Sequence, residues 1–209
     1  MMIDLWFPVT GQTLPSDHGY PMYGALCRVV PELHEATDWG LHTLRGRPMG
    51  PGIIGLPPGS RLGLRLDTDR IPLALRLAGR RLDVRLHSVT LGPPTVIPME
   101  PSPALSARIV TIKSFMEPEP FAEAVRRQLV EIDASLATAK VTLGARKIIT
   151  IDGRRVVGFS VRISNLSNDA SMLIQAQGIG GRRKMGCGVF RKSERDLAPD
   201  TRPPRETAE

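Results

Sequence analysis

Two features of this sequence are built from residue types that do chemistry. One is the run GIGGRRKMGCGVF at residues 178–190, with five glycines within eleven residues and Arg182, Arg183 and Lys184 adjacent. The other is a set of four histidines, His18, His34, His42 and His87. Glycine lets a backbone approach a ligand closely, and clustered cations suit an anionic one, so the run fits a phosphate chain. It is not a P-loop. Gly181 and Gly186 have the required separation, but Cys187 and Gly188 stand where Lys and Ser/Thr must be. It is not a dinucleotide fingerprint either, because it precedes a strand near the C-terminus instead of following one. The plain alternative is a glycine-rich connection from helix to strand with solvated charges. Histidine suits acid–base work near neutral pH. His18 opens a predicted helix, and His34 lies just past its end, where it can simply close the last turn. His42 stands further on, with Arg45 and Arg47 close behind it, and His87 lies on a predicted strand.

The elements that must position these groups follow from pattern. The chain has 209 residues, enough for one domain or two small ones. Aromatics make up only 4 %, so Leu, Ile and Val must fill the core. Lys and Arg number 28 against 21 Asp and Glu, a net charge of +7. Residues 1–100 contribute +1 of that and residues 101–209 contribute +6. A basic surface points to a polyanion partner, with nucleic acid the usual one. Cys27 and Cys187 form neither a metal-site spacing nor a disulfide framework. No apolar run is long enough to span a membrane, and the N-terminus does not read as a signal peptide, so a reducing cytoplasm is expected. No cofactor and no metal are expected.

Residues 2–9 read as an opening strand, and residues from about 18–20 to about 30 as a helix with Tyr20, Tyr23, Gly24 and Cys27 at helical spacing. Residues 34–52 read as a loop, 61–66 as a strand, 71–79 as a short helix and 81–91 as a returning strand. The proline-rich stretch PPTVIPMEPSP marks a linker over 94–103, separating an N-terminal domain (1–93) from a C-terminal one (104–192). In the second half, ARIVTIKSF reads as a strand, and PFAEAVRRQLVEI as a helix with Phe121, Val125, Leu129 and Ile132 on one face. KIITI and VVGFSVRI flank Asp152-Gly153, a hairpin turn signal. SNDASMLIQAQG is a short helix, GVFRK a last strand, and residues 193–209 a disordered tail. The fold class is therefore α+β, two tandem βαββαβ units of the ferredoxin-like plan shared with RNA-recognition domains. Arg146, Lys147, Arg154 and Arg155 flank the hairpin turn and are candidate RNA contacts, or an ordinary solvated hairpin. Arg126 and Arg127 stand near Glu123 and Glu131 and are candidate helix surface pairs.

GIGGRRKMGCGVF before the last strand of such a chain resembles the C-terminal glycine-rich loop of the CRISPR-associated repeat-processing endoribonucleases, the Cas-six family. LPSDHGYPMYGALCRVV is similar to that family's first helix, and WGLHTLRG to the segment after it where many members carry a catalytic histidine. The closest resemblance is to the Myxococcus-type subfamily, over about residues 1–192. It implies metal-independent cleavage of CRISPR precursor RNA within each repeat by the ribose 2′-hydroxyl, leaving a 2′,3′-cyclic phosphate and a 5′-hydroxyl. It implies a repeat stem-loop and mature guide RNA as partners, contact with other effector-complex subunits, and no membrane. By spacing from the helix, His42 best matches the catalytic position, with His18 and Tyr23 as candidate partners and Arg45 as the cation for the scissile phosphate. Gly180, Gly181, Arg182, Arg183, Lys184, Gly186 and Gly188 would grip RNA. The chain departs from the pattern in two places: residues 1–100 contain no lysine, and the helix tyrosine of some members aligns with Cys27. The alternatives are a non-catalytic RNA-binding subunit of an effector complex and a generic RNA-binding adaptor.

Overall fold

A computed structural model of the chain describes residues 1–193. The first half contains β1 (Met2–Thr10), β2 (Thr13–Pro15), α1 (Gly19–Val29), α2 (Glu32–Glu35), β3 (Gly40–His42), β4 (Arg47–Gly50), β5 (Ile53–Gly55), β6 (Arg61–Asp67), α3 (Ile71–Leu75), β7 (Arg81–Val84), β8 (His87–Leu91) and β9 (Thr95–Pro98). The second half contains β10 (Ala104–Val110), α4 (Pro118–Ile132), β11 (Lys140–Ile151), β12 (Arg154–Ser164), α5 (Asn168–Gln177) and β13 (Arg191–Lys192). The two main sheets run β3-β6-β1-β8-β7 and β11-β12-β10-β13, and β2, β5 and β4 form a small third sheet. If β1, β3, β6 and β8 are taken as the four strands of the first unit, both sheets have the same order: second, third, first, fourth. That is the ferredoxin-like plan, present twice.

The second half forms where its pattern says it must. Phe121, Val125 and Leu129 of α4 are buried and Ile132 packs beside them, against Phe159, Val161 and Ile163 of β12. Asp152 and Gly153 both have positive φ, +49° and +72°, as a tight hairpin turn between right-twisted strands requires. Ser167 caps α5 by accepting from the Ala170 N–H. Some boundaries differ from the pattern: β11 starts at Lys140, seven residues before KIITI, and the closing strand read over GVFRK is only Arg191–Lys192. β10 ends at Val110, and residues 111–117 form a loop.

The first half departs more from its sequence pattern. The segment predicted as a loop over 34–52 contains the end of α2 and all of β3 and β4. β3 is only three residues long and lies at the edge of the sheet beside β6, yet all three residues are buried, with the glycine loop packed against them. Residues 81–91 are a hairpin, β7 and β8, turning at Arg85 with φ +56°. The predicted linker supplies β9, which pairs with β1 from Ile3 to Trp6 and extends the sheet beside β8. Prolines are tolerated there because an edge strand has no neighbour awaiting its N–H groups. On α1 the buried stripe is Met22, Tyr23, Ala25 and Leu26, while Tyr20, Gly24 and Cys27 are half-buried. All but Ser193 of the predicted tail lies outside the described residues.

Each half has its own apolar core, and a buried cation joins them. Arg65 of β6 is 1 % exposed. Its Nε and Nη2 donate to the two oxygens of Asp4 at 2.7 and 2.8 Å. Its Nη1 donates to the carbonyls of Gln175, at 3.0 Å, and Phe190 in the second half. His42 Nε2 lies 3.1 Å from Asp4 Oδ1, and its ring stacks on Trp6 with centroids 5.0 Å apart.

The pH dependence of stability follows from this interior. Burial holds His42 below the ordinary imidazole value, although its bond to Asp4 opposes that. Burial lowers His18 too, against the pull of the Pro15 carbonyl. Asp4 is itself opposed by burial, but bonds to His42 and Arg65 outweigh that and hold it well below the carboxylate range. All three groups bind protons less readily folded than unfolded. Their contribution is complete above the unfolded imidazole value of about 6.5 and shrinks as pH falls, first through the histidines and, below about 4, through Asp4. Urea titrations from pH 8 to pH 3 are expected to show this two-part loss. Asp4→Asn, which strands the Arg65 charge, is expected to cost about 3–5 kcal/mol at pH 7.

Candidate functional site

The histidines sort by burial and by how many ring nitrogens are occupied. His18 is 1 % exposed. Its Nδ1 donates to the Pro15 carbonyl at 2.8 Å, and its Nε2 accepts the Leu44 N–H at 3.1 Å. Both nitrogens are spent within the fold, so no lone pair remains for proton transfer. His42 is 5 % exposed and enclosed by Asp4, Arg65 and Trp6. With both rings buried, the geometry does not bring His42 forward as the catalytic histidine or His18 as its partner. His87 lies on β8, where its Nδ1 is 2.8 Å from Thr13 Oγ1. Arg45 is exposed between β3 and β4, close enough to Arg108 for the two cations to repel.

His34 is different. It is exposed on α2, a four-residue helix that Pro31 starts after ending α1. Three interactions fix that short helix. Leu33 sinks into the core, and the Trp39 indole donates to the Leu33 carbonyl at 3.0 Å. Lys184 donates to the carbonyls of His34, at 2.7 Å, and Ala36, at 3.0 Å. These are the orphan acceptors at a helix end, where a cation is favoured. The His34 Nδ1 lies 2.8 Å from the Tyr23 hydroxyl, and Lys184 Nζ stands 5.6 Å from the Tyr23 ring centre. Burial, with Cys27 beside it, pushes the Tyr23 phenol up to about 12. It therefore stays protonated near neutrality and acts through hydrogen bonding. When the phenol donates to Nδ1, the ring proton sits on Nε2. When Nδ1–H donates to the phenol, Nε2 carries the lone pair. Either way Nε2 is the nitrogen available to a substrate. The sequence offered His34 as one of four candidate histidines but ranked it behind His42 as a residue that can simply close α1, because nothing local signals that Lys184 reaches it.

The glycine loop leads away from α5 and lies against both halves. The Gly180 N–H donates to Gln128 Oε1 at 2.8 Å, the Gly181 N–H to the Thr111 carbonyl at 3.0 Å, and the Gly188 N–H to the Ile109 carbonyl at 2.8 Å. Gly186 packs on Thr43 of the first half. Gly188 has φ +66°, and a Cβ there would collide with the Ile179 carbonyl. Gly181 differs, since an added Cβ would meet open space. The three adjacent cations, read from the sequence as a shared phosphate grip, point in three different directions. Arg182 is exposed. Arg183 turns inward, with Nη2 donating to the Ala176 carbonyl at 2.8 Å, and burial beside the Arg65 charge lowers it to about 10. Lys184 crosses to α2. On the hairpin, strand alternation splits the candidate contacts. Arg146 and Arg155 share one face, and Lys147 and Arg154 the other. Arg146, Arg154 and Arg155 are exposed. The hairpin is tied to the first half through the Thr150 N–H and the Asp17 carboxylate.

A family model described as Cas6 Crispr matches residues 3–194. The CRISPR-associated endonuclease Cas6 of Myxococcus xanthus (strain DK1622) is 39 % identical over 190 residues, covering 91 % of this chain and 81 % of the relative. Among solved structures, a Cas6-related protein from Pyrococcus furiosus superposes with a TM-score of 0.72 at 10 % identity, over 94 % of this chain and 100 % of that one. Cse3 of Thermus thermophilus, solved with an RNA representing a pre-cleavage complex, gives 0.50 at 15 % identity, over 90 % and 97 %. At such identities the two structures speak to the fold alone.

The contrast between two loop glycines is testable by thermal melting. Gly188→Ala is expected to destabilise the protein by about 1–3 kcal/mol or more, from positive φ and the carbonyl clash. Gly181→Ala is expected to change stability by less than about 0.5 kcal/mol. Equal melting temperatures for the two variants would show that the loop does not need the backbone conformation described.

Proposed function

The chain belongs to the Cas6 family, and from that premise we propose that it is the endoribonuclease that cuts CRISPR precursor RNA within repeats without a metal ion, with His34 as its acid–base group. One observation carries this reading: an exposed histidine whose Nδ1 is held by Tyr23 and whose backbone is held by Lys184, a glycine-loop residue that crosses to the first half. The ribose 2′-oxygen attacks the adjacent phosphorus, the bond from phosphorus to the 5′-oxygen breaks, and a 2′,3′-cyclic phosphate and a 5′-hydroxyl result. The 2′-hydroxyl proton leaves to a base, and the departing 5′-oxygen gains one from an acid. His34 Nε2 serves as that base in its lone-pair form and as that acid in its protonated form. Lys184 brings positive charge to a site where the phosphorane-like transition state gains negative charge. It fills the place for which residues 1–100 offer no lysine.

His34→Ala is expected to slow single-turnover cleavage of the cognate repeat RNA by about 10²–10⁴-fold in excess EDTA, with RNA affinity retained. A 2′-deoxy substitution at the cut site is expected to abolish cleavage by the wild type. His42→Ala is expected to act mainly on stability. Normal cleavage by a His34→Ala variant would overturn the assignment. Tight binding of repeat RNA without cleavage by the wild type would instead make the chain a non-catalytic RNA-binding subunit.

A further inference from the structure

The loop between β10 and α4 carries a cluster that the candidate site does not use. Lys113, Ser114 and Met116 are exposed, and Ser114 has φ +70°, which turns the chain back on itself. Phe115 packs partly against the second core. The guanidinium of Arg127, from α4, lies over its ring, with Cζ 5.4 Å from the centroid. Arg127 and its neighbour Arg126 are exposed, and neither closes an ion pair with Glu123 or Glu131. This differs from the helix surface pairs that the sequence suggests. The same loop is tied to the glycine loop. The Gly181 N–H donates to the Thr111 carbonyl, the Thr111 hydroxyl donates to the Gly181 carbonyl, and Arg182 Nη1 reaches Thr111 Oγ1 at 3.5 Å. These bonds, with the Gly180 N–H on Gln128 next to Arg127, hold exposed Gly181 and Arg182 at the start of the loop that carries Lys113 and Phe115.

We propose that Lys113, Phe115 and Arg127, together with Gly181 and Arg182, form a platform for single-stranded RNA flanking the base-paired part of the substrate. The inference rests on the RNA-processing reading and adds a binding site to it. The Arg127 guanidinium rests over the Phe115 ring while the residue itself stays exposed, so it is accessible to an unpaired base. Guanidinium planes stack on unpaired bases, which a duplex keeps stacked on its own neighbours. Exposed Lys113 and Arg182 supply cations for phosphate contacts, and open Gly181 lets a backbone come close. An acidic protein segment would use the charges but would have no use for the stacking plane, so RNA is the occupant favoured here.

The test uses the full chain and two 2′-deoxy-blocked repeat RNAs, a stem-loop alone and the same stem-loop with its single-stranded flanks. Affinity is read by fluorescence anisotropy at several salt concentrations. Arg127→Lys keeps the charge but not the plane. It is expected to weaken binding of the flanked RNA by about tenfold, the scale of one lost stacked base, with the salt slope unchanged. Lys113→Ala is expected to make the slope of log affinity against log salt shallower by about 0.7, the value for one single-strand phosphate contact. Binding of the stem-loop alone is expected to stay at the wild-type level in both. Equal losses on both RNAs would overturn the platform, because the residues would then grip the stem. Wild-type affinity of both variants for the flanked RNA would also overturn it and leave the patch to an acidic protein partner. Failure of the wild type to bind either RNA would overturn the RNA-processing reading together with the platform.

Discussion

A buried guanidinium at the centre of the contact between the two halves sets their register. Arg65 stands in the middle of the first sheet, yet two of its acceptors are carbonyls of the second half, at Gln175 and Phe190. An arginine cannot shed its charge in a protein, so burying it demands a counter-charge and a full set of acceptors. Asp4, on the adjacent strand β1, provides the counter-charge with both oxygens. His42 bonds the same carboxylate from β3, on the other side of β6. The end of α5 and the approach to β13 are therefore drawn onto the first sheet. The glycine loop runs between these two anchor points, and its position follows from them.

That constraint explains why the loop behaves as a joint more than as a glove. Its start and end are fixed at Arg65, and its N–H groups are satisfied by Gln128, Thr111 and Ile109. Little freedom remains, so its cations point where the packing sends them. Arg183 goes inward beside Arg65, Lys184 crosses to the end of α2, and Arg182 faces outward. A single motif therefore serves structure, the candidate site and the surface at once. The same geometry gives the histidines separate tasks. His42 and His18 complete buried networks, while His34 is held by its neighbours but kept open to a ligand.

The sequence legibly carried the regular parts. The apolar stripe of α4, the Asp152-Gly153 turn and the alternation along β12 are local patterns, and each produced its element because nothing remote overrides it. β3 was illegible for the opposite reason. Gly40, Leu41 and His42 have no strand pattern of their own, and they extend only because β6 offers them a free edge. β9 was hidden by prolines that an edge strand accepts. Composition and motif order sufficed for the α+β class, the basic second half and the resemblance to the CRISPR nucleases.

Choosing among four histidines was beyond local reading. Spacing from α1 favoured His42, but exposure decides which imidazole meets a substrate, and exposure is set by residues far away in the chain. Asp4 and Arg65 bury His42 from positions 38 residues before and 23 residues after it. Lys184 fixes the turn around His34 across 150 residues. The sequence by itself determined which side chains are capable of acid–base chemistry and phosphate binding. The tertiary structure decided which of them are free to perform it, because a side chain's accessibility and hydrogen-bond partners depend on long-range contacts that no local pattern encodes.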